Sequence, residues 1–147
     1  MSMFKNAKSG GSRGLIALSL LLAGLSACGQ ANFVDVTVTI KKGVVAADKL
    51  TQIDRCNVTV SGAESDSFGL TNCSDARAAT STLLFQYGSE KDSGTLNFVV
   101  DILSGIDSNA GPTGRRKLGT GSGSGSIKSG SRATVSIEVV PDPAMYQ

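Results

Sequence analysis

Histidine and tryptophan are absent from this chain of 147 residues, and aromatic side chains make up only 5% of it. Without histidine there is no Ser-His-Asp or Cys-His catalytic arrangement and no His-ligated metal site. Five Phe and two Tyr leave little from which to build a stacking platform for bases or sugars. Excess charge of one sign is also missing. Fourteen basic residues stand against 12 acidic ones, and a balance of +2 is too small for a dedicated nucleic-acid binder. The apolar run 15–25 has eleven residues, well short of the roughly 20 that a transmembrane helix needs. The length suits one domain.

What is present begins with an address. Lys5, Lys8 and Arg13 precede the apolar run with no acidic residue among them, and small residues follow it. Basic start, short apolar core and small residues are the parts of a secretory signal peptide. The string that closes it, Leu25-Ser26-Ala27-Cys28, closely resembles the lipobox of bacterial lipoproteins. That resemblance implies recognition through Leu25, Ser26 and Ala27, cleavage before Cys28, and fatty acylation (palmitate among the chains) of Cys28 as the first mature residue. The covalent lipid would be the only added group, with no cofactor. Several acyl chains hold a protein on a bilayer where one binds only reversibly. Gly29, where the family's inner-membrane sorting pattern has Asp, points to an outer membrane facing the periplasm or the cell surface.

Loss of 1–27 removes three cations, so the 14 basic residues become 11 against an unchanged 12 acidic. The excess basicity lies in the address, and a nucleic-acid partner is not expected. Two cysteines remain, Cys56 and Cys73. In an exported chain an even pair implies a disulfide. Two thiols are too few for a metal site, and their spacing is not the Cys-x-x-Cys of redox pairs. A structural staple is therefore expected.

The mature chain reads as strands. Residues 34–41 alternate Val34, Val36, Val38 and Ile40 with polar neighbours, the period of a half-buried strand. Residues 56–61 repeat this with Cys56 inward. Residues 82–87, 95–103 and 133–140 follow, and a short further strand fits near 117–119 or 126–128. Short helical turns fit within 44–54 and 74–81. The fold class expected is all-β: a small β-sandwich of about six to seven strands. It would occupy 33–141 after a tether at 28–32, carry a Gly/Ser-rich loop at 104–126, and end in a tail at 142–147.

Three stretches carry a second resemblance: Cys56-Asn57-Val58-Thr59-Val60-Ser61-Gly62, Gly94-Thr95-Leu96-Asn97-Phe98-Val99-Val100-Asp101, and Gly130-Ser131-Arg132-Ala133-Thr134-Val135-Ser136-Ile137. They are similar to the small immunoglobulin-like or transthyretin-like domains of bacterial surface lipoproteins. The Cys…Trp…Cys core of antibody domains is lacking, so no immune-type recognition is implied.

Candidate sites are few. Residues 119–126 alternate Gly with Ser or Thr, but Ile127 stands where a phosphate loop needs Gly-Lys-Ser/Thr, so they read as a flexible surface loop. Arg115, Arg116 and Lys117 are the candidate contact for an anion or a partner. Asp107-Ser108-Asn109 faintly resembles a calcium loop, but Leu118 stands at its twelfth position, and turn chemistry explains the residues. No pair of carboxylates or Ser-Lys arrangement suggests an enzyme. The expectation is a membrane-anchored, non-catalytic binding or structural module with an envelope protein or glycan as partner. A carrier of a small ligand or envelope glycan is the alternative.

Overall fold

The computed structural model describes residues 32–77, 82–110, 112 and 114–146. The leader, the lipobox residues Leu25, Ser26 and Ala27, Cys28 and most of the tether lie outside them. Seven strands form the described part: β1 (Asn32–Ile40), β2 (Ile53–Gly62), β3 (Asp66–Leu70), β4 (Thr82–Ser89), β5 (Ser93–Ser104), β6 (Lys117–Lys128) and β7 (Arg132–Pro141). Three short 3-10 turns accompany them: η1 (Lys49–Gln52), η2 (Cys73–Arg77) and η3 (Pro143–Met145). The fold is all-β. Both expected helical regions hold a turn, η1 and η2.

The strands lie in the order β3-β2-β5-β6-β7-β1-β4 in one curled sheet. β3, β2, β5 and β6 pair antiparallel as one layer. β7 and β4 flank β1 as the other, β7 parallel to it and β4 antiparallel. Alternation decides which side faces in. Val34, Val36 and Val38 of β1, Leu96, Phe98, Val100 and Ile102 of β5, and Val135, Ile137 and Val139 of β7 are all buried. Each such side chain contributes about 1.5–3 kcal/mol by leaving water, more than the 0–1 kcal/mol of a typical surface ion pair, so this interior holds the fold together. At the open side of the curl, rings fill the gap between the terminal strands. Phe68 of β3 sits 5.7 Å from Phe85 and 6.1 Å from Tyr87 of β4, and Phe98 of β5 closes on both. Burial, with the Glu64 carboxylate beside it, pushes the Tyr87 hydroxyl up to about 12.

The Gly/Ser-rich segment is the main correction. The expected loop 104–126 is a loop only over 105–116, and 117–128 is a strand paired with β5 from end to end. Its period is two, with Thr120, Ser122, Ser124 and Ser126 outward and Gly121, Gly123 and Gly125 inward. A Cβ on Gly121 would lie 2.5 Å from the Glu138 carbonyl oxygen, and one on Gly123 2.8 Å from Val135 Cγ1. β7 passes directly beneath, so the inner face has room for hydrogen and nothing larger. β7 joins β6 only at Gly119–Pro141 and Thr120–Val140, and otherwise runs along β1. The bare glycine face is where the sheet folds over on itself.

Cys56 and Cys73 form a disulfide with Cα atoms 5.4 Å apart. Both are buried, and the bond fastens η2 to the inner face of β2. The additional strand, β3, pairs with β2 on the outer side of the same layer.

Candidate functional site

The registers sort the connections into two ends. Asn32 faces Ser89, and Ser93 faces Lys128, so the start of β1 shares an end with the short turns 90–92 and 129–131. The β2–β3 turn, 63–65, lies at that end too. The longer connections, from β1 to β2, from β3 to β4 and from β5 to β6, all leave and rejoin the strands at the opposite end, where η3 also lies.

Two irregularities occur at the long-loop end. Asp54 is an extra residue in β2 between Ile53 and Arg55 opposite β5, and Leu118 is an extra residue in β6. Bulges re-aim side chains. The first turns Asp54 outward between two arginines: Oδ2 accepts from Arg115 Nη1 at 2.5 Å, and Oδ1 lies 3.7 Å from Arg77 Nη2. The Arg115 hydrogen bond, with the charges of Arg115, Arg77 and Arg55, holds the Asp54 carboxyl below the usual carboxylate range against some desolvation.

Beside this cluster an open groove of about 610 Å³ runs between η1, the start of β2, η2 and the loop 105–116. Its charged lining is Asp54, Arg77, Asp107 and Arg116. Asp107 shapes the loop: Oδ1 accepts from Asn109 N–H at 2.9 Å, and its own N–H reaches Gly114 O at 2.6 Å. The Asp-Asn pair therefore acts as turn chemistry. Among the described residues no group of three or more His, Cys, Asp or Glu is placed to hold a metal. Ile106, 83% exposed, stands at the groove's edge.

The three consecutive cations singled out in the sequence do not form one patch. Arg115 turns to Asp54 and Ser104 O, Arg116 to Asp107 at 3.3 Å and Met145 O at 2.9 Å, and Lys117 to Asp101 at 2.7 Å. Only Arg116 of the three lines the groove. Arg77 and Asp54 were not legible as site residues. Arg77 is held by donating from Nε to Ile53 O at 2.5 Å, and nothing in its neighbourhood in the chain announces that partner.

No protein-family model matches the chain, and comparison with curated proteins and with solved structures gives no match.

Proposed function

We propose that the chain is a lipid-anchored cell-envelope protein, fixed to a membrane through Cys28, that serves as a non-catalytic binding or structural module. The observation that carries this reading is the polarity of the fold. β1 begins at Asn32, four positions beyond Cys28, at the short-turn end. Four residues reach at most about 14 Å when fully extended. An acylated Cys28 would keep that end beside the bilayer and turn the groove and loop 105–116 away from it, toward an envelope protein or glycan. The buried disulfide supports an oxidising compartment, and Gly29 favours the outer membrane. The immunoglobulin-like or transthyretin-like resemblance belongs to the same proposal. The contact surface is shorter than the sequence suggested, because 117–128 is part of the sheet.

The carrier reading draws on the groove, whose volume lies in the ordinary range of ligand sites. Its openness and polar lining fit a surface that touches part of a larger ligand better than an enclosed pocket for a whole small one.

Intact-mass measurement of the native protein tests the anchor. The expected product starts at Cys28 and carries acyl chains, and Cys28→Ala leaves the membrane fraction. A retained leader or an unmodified Cys28 thiol overturns the reading.

A further inference from the structure

The ion-pair cluster at the long-loop groove holds more guanidinium than carboxylate. Arg77 and Arg116 line the groove with Asp54 and Asp107, and Asp54 is shared between Arg77 and Arg115, which itself does not line it. One positive charge is left over. The fixings matter as much as the count. Arg77 is clamped through Nε to the Ile53 carbonyl, while its Nη2 is 3.7 Å from Asp54, beyond hydrogen-bond distance. Arg116 is clamped through Nη1 to the Met145 carbonyl, and its backbone N–H donates to Ser104 Oγ at 2.9 Å. Its buried Nε lies 3.3 Å from Asp107 Oδ2 but makes no hydrogen bond. A neutral carbonyl fixes a guanidinium without cancelling its charge. Two such groups, contributed by η2 and by the end of loop 105–116, are pre-positioned donors with little rotamer entropy left to lose.

These features select the sign and the shape of a ligand. A cation would meet surplus positive charge and carboxylates already committed to arginines. An anion would meet free N–H donors. A planar carboxylate suits one guanidinium fork, whereas a tetrahedral phosphate presents oxygens in several directions and can accept from two forks in different planes. We propose that this groove binds a phosphate group, free or as an ester, through Arg77 and Arg116. The proposal rests on reading the groove as the working end of the protein and does not depend on the lipid.

The test is calorimetric titration of the full chain in detergent micelles with inorganic phosphate, glycerol 1-phosphate and acetate. Saturable binding of phosphate or its ester, stronger than that of acetate, is expected. Arg77→Gln and Arg116→Gln should each weaken it at least tenfold, and Arg132→Gln, at the other end, should leave it unchanged. Because Arg116 also holds Met145 and Arg77 also holds the Ile53 carbonyl, Arg77→Lys and Arg116→Lys are made beside the glutamine variants and should restore part of the affinity. Tighter binding of glycerol 1-phosphate than of phosphate identifies an ester as the ligand, and equal binding identifies the free ion. No saturable binding, or binding untouched by both glutamine variants, overturns the proposal. Acylation of Cys28, read by mass in the same sample, stands or falls independently of the titration.

Discussion

The two ends of the sandwich solve the same problem in different ways. At the short-turn end, connections of three residues leave little backbone to satisfy, and one buried amide serves two of them. Asn32, 2% exposed, donates from Nδ2 to Lys91 O at 2.7 Å and accepts at Oδ1 from Gly130 N–H at 3.1 Å. At the other end the connections are long, and ion pairs, 3-10 turns and a disulfide restrain them. The first end is closed by short turns gathered around one amide. The second has loose chain that must be tied down, and the ties leave charge over. Loops carry function because a scaffold frees them from packing, and here the scaffold frees one end only.

The comparison can be broken most severely at the disulfide. Replacing Cys56 and Cys73 with Ser releases η2 from β2, and the loop-entropy account gives a loss of about 3 kcal/mol for a separation of 17 residues. A lower urea midpoint and faster exchange of amides around η2 are expected, with the turns 90–92 and 129–131 still protected. Equal loss of protection at both ends would show that they are one cooperative unit.

Asn32→Ala attacks the other end. It leaves the Lys91 carbonyl and the Gly130 N–H without their partner, and stability should fall by about 1–3 kcal/mol. The urea midpoint should drop with an unchanged slope. Phosphate binding at the far end should be preserved, which separates the two ends functionally.

The smallest effect is a dependence on acidity. Asp54 is held below its ordinary pKa in the folded state, mainly by the hydrogen bond from Arg115. Its contribution is complete above the unfolded value near 3.9 and is lost as the pH falls through the folded value. Thermal midpoints of the native chain should therefore decline at low pH more steeply than those of Asp54→Asn. The difference between Asn32→Ala and the native chain should stay flat, because an amide does not titrate. Identical acid profiles for the native chain and Asp54→Asn would show that the bulge cluster adds nothing to stability.

The sequence made the apolar strands plain, because β1, β5 and β7 alternate β-branched or large side chains with polar ones. The ends of β6, at 117–119 and 126–128, were readable as a short strand, but its middle was hidden by the opposite device. Its inward positions are glycine, so a strand with strict period two has the composition of a linker. The cue was the regularity of Gly-Ser-Gly-Ser-Gly-Ser over 121–126, which a flexible linker does not require. β3 was hidden by its shortness and by Gly69; its two inward apolar side chains, Phe68 and Leu70, fall below what a period can reveal. At the site, Arg116 could be picked from a run of three cations. Arg77 and Asp54 could not, since a bulge and a 3-10 turn bring them to the groove and neither is written in residue spacing.

One feature of the topology bears on what an attachment at Cys28 would transmit. The first and last strands run side by side in the same direction, from Phe33 beside Arg132 to Ile40 beside Val139. A pull on the anchor would enter at the Asn32 end of β1 along the strand, and would load its pairs with β7 and β4 together rather than one after another. Pairs loaded in concert yield at a higher force than pairs peeled singly, so this direction of pull is the one that the edges of β1 resist best.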